Sequence, residues 1–92
     1  MIPIILCATE KGRAVLFGHV PELPTVGEPV ALHDARMILS WTEIGLLGVA
    51  AKGPAKGTKI TAAVPLVVET VWREIIQCTP EAAVQLSEWP SC

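Results

Sequence analysis

Aromatic residues make up only 4% of this 92-residue chain and charged residues only 17%. Few aromatics leave few platforms on which a run of bases could stack. The formal net charge of -2 withholds the basic footprint from which general nucleic-acid binding draws most of its affinity. A nucleic-acid polymer is therefore not the expected partner. Cysteine is also scarce: Cys7, Cys78 and Cys92 form an odd set with no C-x-x-C pair. Neither a disulfide framework nor a zinc site follows from that spacing, and a reducing cytosol is the default setting. No apolar run approaches the roughly 20 residues that a membrane-spanning helix needs. Met1 to Cys7 is too short for a signal h-region and lacks a basic flank and a cleavage site. The chain reads as soluble and cytoplasmic, with no membrane partner.

What is abundant is apolar surface, at 51% of residues. One domain spanning residues 1–92 is expected, and a chain this short buries only about two-thirds of its unfolded surface. That surplus predicts a subunit contact, and so a homo-oligomer. Charge is unevenly spread. Between Ala35 and Lys59 stand Arg36, Lys52, Lys56 and Lys59 against Glu43 alone, whereas Ile60 to Cys92 holds four acids against Arg73. The middle of the chain is locally positive and suits a small anionic ligand.

The order of elements reads β-β-β-α-β-β-α. Ile2 to Ala8 and Arg13 to Val20 flank a turn at Glu10-Lys11-Gly12, which predicts a hairpin. Three prolines and a glycine between Pro21 and Pro29 predict an ordered loop. Val30 to Leu39 resumes a strand, with Val30, Leu32, Asp34, Arg36 and Ile38 on one face. Ser40-Trp-Thr-Glu43 has the spacing of a capping box and predicts a helix from Thr42 to Ala51, closed by Gly53 and Pro54. A short strand from Ile60 to Val64 follows. Pro65 interrupts it before a long strand from Leu66 to Cys78. Thr79-Pro80-Glu81 opens a terminal helix running to about Trp89. The fold class is α+β: a small antiparallel β-sheet or barrel of about five strands, one helix after strand 3 and a C-terminal helix.

For catalysis the sequence offers little. His19 and His33 lie in strands, with no serine or cysteine spaced as nucleophile and base, and no helical i, i+3 or i, i+4 set of metal ligands occurs. No enzyme, metal or cofactor is expected. Gly53-Pro-Ala-Lys56-Gly57-Thr58-Lys59 lacks the G-x-x-x-x-G-K-[ST] spacing of a phosphate loop and leads into a strand, although backbone amides and lysines in such a turn can still hold an anion. Arg36 shares its predicted face with apolar residues, so it either pairs with Asp34 at a subunit seam or offers a planar fork to a phosphate or carboxylate. Trp41 serves either as a core plug or as an aromatic wall beside that fork.

Ala35-Arg36-Met37-Ile38-Leu39-Ser40-Trp41, the small-residue helix ending Ala50-Ala51-Lys52-Gly53-Pro54, Lys59-Ile60-Thr61, and Glu74-Ile75-Ile76 before Thr79-Pro80-Glu81-Ala82 together resemble a family of small uncharacterised bacteriophage and prophage proteins. The shared core of that family reads N-A-R-x-x-x-Y-W. The resemblance covers roughly Arg13 to Leu86, with Asp34 in place of the asparagine and Ser40 in place of the tyrosine. In size and element order such proteins are similar to phage sponges that sequester cyclic nucleotide signals of the Thoeris and CBASS defences without cleaving them. The resemblance implies a base stacked on Trp41, with Arg36, Lys52, Lys56, Thr58 and Lys59 around its phosphates. The expected function is a phage-derived, non-enzymatic binder that sequesters a small anionic cyclic nucleotide in the host bacterial cytoplasm. A structural or protein-interaction module without a small-molecule ligand is the alternative, and an oligonucleotide-binding barrel is a third reading.

Overall fold

Apolar alternation organises the chain into two antiparallel strands, a proline-rich loop, a longer third strand, and two short helices separated by three more strands. The computed structural model describes residues 1–8, 14–42 and 44–92. In it β1 spans Ile2–Ala8, β2 Ala14–Val20, β3 Val30–Ser40, α1 Gly45–Lys52, β4 Lys59–Ile60, β5 Val64–Glu69, β6 Trp72–Gln77 and α2 Pro80–Glu88. The fold is the expected α+β arrangement, with the helix after the third strand and the C-terminal helix both present. The Glu10-Lys11-Gly12 turn lies outside the described residues. No helix is long and apolar enough to cross a membrane among the described residues.

All named strands pair antiparallel, in the order β4-β3-β2-β1-β6, and β5 pairs with the other half of β3. The long strand expected from Leu66 to Cys78 is thus broken. Its first part pairs with β3 and its second with β1, with a bend at Thr70 and Val71 between them. This crossing curls the sheet back on itself. Pro65 lies within β5, and the strand expected over Ile60 to Val64 is reduced to Lys59–Ile60.

Curling creates two separate cores. Inside the curl, Ile4, Leu6, Ala8, Leu16, Val20, Val30, Leu32 and Ala35 pack together, with Val67, Trp72 and Ile75 against them. On the outer face, Ile5, Val15, Phe17, Ile38 and Ile60 meet Val49 and Ala50 of α1 and Ala82, Ala83 and Leu86 of α2.

A bulge in β3 decides which core each residue joins. Phe17 faces Arg36 and His19 faces His33, so two residues of β3, Asp34 and Ala35, stand against Gly18 alone. Asp34 takes the left-handed conformation at φ 51°, a region where aspartate is among the better-tolerated L residues. The extra residue reverses the alternation. Val30 and Leu32 face the inner core, while Arg36 and Ile38 turn to the helix side, which overturns the single face expected for all five residues. Gly18 permits the close approach: a Cβ there would stand 2.4 Å from Leu32 Cγ and 2.9 Å from the His33 carbonyl oxygen.

The first helix starts later than its sequence suggests. Ser40 is held in β3 opposite Lys59, so it cannot act as a cap. Ile44 occupies the N-cap position of α1 without a side-chain hydrogen bond, and Glu43, the other half of the expected capping box, lies outside the described residues. The far end of α1 is fully satisfied. Gly53 N–H donates to the Val49 carbonyl at 2.8 Å and Thr79 N–H to Ala50 at 2.9 Å. The Thr79 hydroxyl donates to Ala51 at 2.8 Å, and the Gln85 amide to Lys52 at 3.1 Å. The same Thr79 hydroxyl accepts from Ala82 N–H at 3.1 Å, as the expected N-cap of α2.

Gly18→Ala should cost about 1–3 kcal/mol through overpacking against Leu32, read as a lower urea midpoint with an unchanged m-value. A midpoint equal to wild type would show that the bulge does not need the missing Cβ. The thiols give a second check. Burial pushes the Cys78 thiol up to about 11 from its ordinary 9.0. Between those two pH values the folded chain keeps a proton that the unfolded chain loses, so stability falls as pH rises from about 9 to about 11 and is undiminished below. Burial first and the Glu74 carboxylate second raise Cys7 as well, and Cys92 is exposed. Alkylation of native protein at neutral pH should label Cys92 fastest and Cys78 last, as mass spectrometry will resolve.

Candidate functional site

Among the described residues Arg36 is the charged residue buried most deeply, 5% exposed, and its position follows from the bulge. Turned to the helix side, its Nε–H donates to the Thr61 carbonyl at 2.8 Å, and its Nη1 donates to the carbonyls of Leu86 at 2.7 Å and Ser87 at 3.2 Å. Leu86 and Ser87 lie in the last turn of α2, where carbonyls lack helical donors and the helix dipole is negative. The guanidinium therefore serves as a C-terminal cap supplied from another strand. Asp34 sits exposed in the bulge and is not among these partners. The Asp34 pair does not describe this arginine, because its Nε and Nη1 donors go to backbone carbonyls.

Thr58 is also buried, at 7% exposure. Its amide donates to the Ala55 carbonyl at 3.1 Å, its carbonyl accepts from Trp89 Nε1 at 2.9 Å, and its hydroxyl has no partner among the described residues. It holds the lysine turn in shape from beneath. Lys52, Lys56 and Lys59 are all exposed. Of these, Lys59 stands opposite Ser40 in the β3–β4 ladder, which brings it to the same end of the sheet as Trp41. Gly57 reaches the same place, since a Cβ on it would stand 3.7 Å from the Thr42 methyl. Of the six residues expected to form one site, Trp41 and Lys59 come to the same end of the sheet, with Lys56 in the adjoining turn. Lys52 ends α1, and Arg36 and Thr58 belong to the interior.

Trp41 differs from the other two tryptophans. Trp72 Nε1 donates to the Glu28 carbonyl at 2.7 Å and Trp89 Nε1 to Thr58, so both tie distant segments together. Trp41 is 40% exposed, and no hydrogen bond from its indole is formed to the described residues. It walls a recess of about 290 Å³ with Cys7, Val15, Leu46, Arg73 and Glu74. Val15 and Leu46 make an apolar floor. Cys7 and Glu74 are register partners across β1 and β6, and the thiol donates weakly to Glu74 Oε1 at 3.8 Å. Sequence reasoning missed Cys7, Arg73 and Glu74 because they come together only when β6 pairs with β1. No group of three or more His, Cys, Asp or Glu side chains able to hold a metal occurs among the described residues.

The chain belongs to the family described as a domain of unknown function (DUF6948), whose model matches residues 1–86. No curated protein and no solved structure matches it.

The cap assigned to Arg36 predicts that Arg36→Met lowers stability by about 2–4 kcal/mol, since one buried and two part-buried carbonyls lose a charged donor. Arg36→Lys should recover little of this, because one ammonium does not reproduce the planar fork. Asp34→Asn should stay within about 0.5 kcal/mol of wild type. Chemical denaturation monitored by far-UV circular dichroism measures all three, and a stable Arg36→Met would remove the capping role.

Proposed function

We propose that this member of the DUF6948 family is a non-catalytic module that works as an oligomer of identical chains in a bacterial host cytoplasm, with the outer face of β3 and β5 as the seam between subunits. One row of residues carries the reading. Pro3 is the partner of His19, His19 of His33, and His33 of Leu66, in register across four strands. Directly opposed residues in antiparallel ladders share a face, and Ala31 opposite Val68 extends the same patch. Leu66 is 49% exposed and Val68 55%. The row begins where helical cover ends: Phe17 is sealed under the helices, and His19, two residues on, meets it edge to face at 5.2 Å.

These six residues include no carboxylate, ammonium or guanidinium, so two copies of the face can meet about a two-fold axis with only the two imidazoles able to carry charge. Contact through side chains is favoured over strand addition, because Pro65 offers no N–H at the free edge of β5. A second reading keeps the phage-derived sequestration of a small anionic cyclic nucleotide. What favours it is that Trp41, Lys59 and the lysine turn lie at the same end of the sheet; Arg36 is left to its capping role.

Size-exclusion chromatography with light scattering tests the oligomer. Wild type should elute as a defined multimer whose melting temperature rises with protein concentration. Leu66→Lys combined with Val68→Lys should give a monomer that keeps wild-type circular dichroism. A wild-type monomer at high micromolar concentration would sink the reading.

A further inference from the structure

We propose that the Trp41 recess is a binding site for a purine nucleotide and that Glu74 selects guanine. The inference rests on the nucleotide reading and joins Trp41, which that reading already contains, to Arg73 and Glu74, which it does not. Three different chemistries line one small space. An exposed indole supplies a π-face, and stacking on such a face is available to any base. Arg73 is exposed at the rim, and a guanidinium fork matches two phosphate oxygens. Glu74 is exposed and its only hydrogen-bonding partner among the described residues is the weak Cys7 thiol donor. Its carboxylate thus keeps acceptor capacity for a base edge.

An ionised carboxylate accepts and does not donate. Guanine presents two adjacent N–H donors on its Watson–Crick edge, whereas adenine offers one beside an unprotonated ring nitrogen that a carboxylate repels. The same carboxylate would oppose a phosphate placed next to it, so the phosphate belongs at Arg73 and the base edge at Glu74. A volume near 290 Å³ lies at the low end of small-molecule sites, which fits one nucleotide unit rather than an extended strand. Val15 and Leu46 form the apolar floor beneath the base.

Isothermal calorimetry with GMP, cyclic GMP, AMP and inorganic phosphate provides the test, with the multimer checked by light scattering in each sample. GMP and cyclic GMP should bind saturably and more tightly than AMP, and inorganic phosphate should bind weakest. Trp41→Ala and Arg73→Gln should each weaken GMP binding about ten-fold or more. Glu74→Gln should abolish the preference for GMP over AMP while AMP binding persists. All three side chains are at the surface, and unchanged circular dichroism will verify that the variants fold. If GMP binds wild type and the Trp41→Ala and Arg73→Gln variants equally, the recess is not the site, although the broader nucleotide reading stands. If none of the nucleotides binds in the millimolar range, both fall. A Trp41→Ala variant that changes subunit number while GMP never binds would make the indole an interface residue and overturn the assignment.

Discussion

The guanidinium of Arg36 joins three parts of the molecule. It sits on β3, reaches the backbone of Thr61 just past β4, and caps the last turn of α2 through Leu86 and Ser87. Burying a cation away from a carboxylate is costly unless its donors are occupied. Here two of the acceptors are carbonyls in the last turn of α2, which have no helical donor. Each side removes the other's penalty, so the pair stabilises the packing of α2 against the sheet. Because Cys92 N–H also donates to the Ile60 carbonyl at 3.0 Å, the chain beyond α2 is drawn to the same strand.

That arrangement depends on one bulge. Without the additional residue at Asp34, Arg36 would continue the face of Val30 and Leu32 and enter the inner core, where the residues are all apolar. With it, the same side chain reaches the helix layer. Gly18 and Asp34 therefore act together: one yields the space for Leu32 and the other takes the left-handed conformation that lengthens the strand. Helix ends follow the same logic of satisfied carbonyls. The last carbonyls of α1 are taken by Gly53, Thr79 and Gln85, and those of Leu86 and Ser87 in α2 by Arg36. A fold this small, with eight- and nine-residue helices, gains little from intrinsic helix stability and relies on these cross-element bonds.

Local signals were legible in the sequence, and signals that need a neighbouring strand were not. Thr79-Pro80-Glu81 announced α2 because a cap, a proline at N1 and an early acid act within one turn. Gly53 and Pro54 marked the end of α1 for the same reason. The two-faced reading of β3 failed because the bulge is a property of its pairing with Gly18, not of its own alternation. Nothing in Glu69-Thr70-Val71-Trp72 has the glycine, proline or asparagine that would mark a bend; the change of partner from β3 to β1 makes it. Ser40 and Glu43 have the spacing of a capping box, yet pairing with Lys59 keeps Ser40 in the sheet. At the site, Trp41 and Lys59 were legible as residue types, and the true partners of Arg36 were not, since one of them lies 50 positions away.

The three tryptophans sort structural from available surface. An indole buried for stability usually finds an acceptor for its N–H, and Trp72 and Trp89 do so on backbone carbonyls of the proline-rich loop and the lysine turn. These bonds fix the two long connections of the fold, which is reason enough for both residues. Trp41 fixes no such connection. It leaves two-fifths of its surface in water beside an apolar floor and two charges of opposite sign, an arrangement that stability alone would not favour over a smaller residue. The row across β1, β2, β3 and β5 has the same character. Leu66 and Val68 could be polar without cost to either core, because their side chains contribute to neither. Once the interior has accounted for Arg36, Thr58 and two of the tryptophans, these two surfaces hold the residues whose chemistry the fold does not consume, and function is to be sought there.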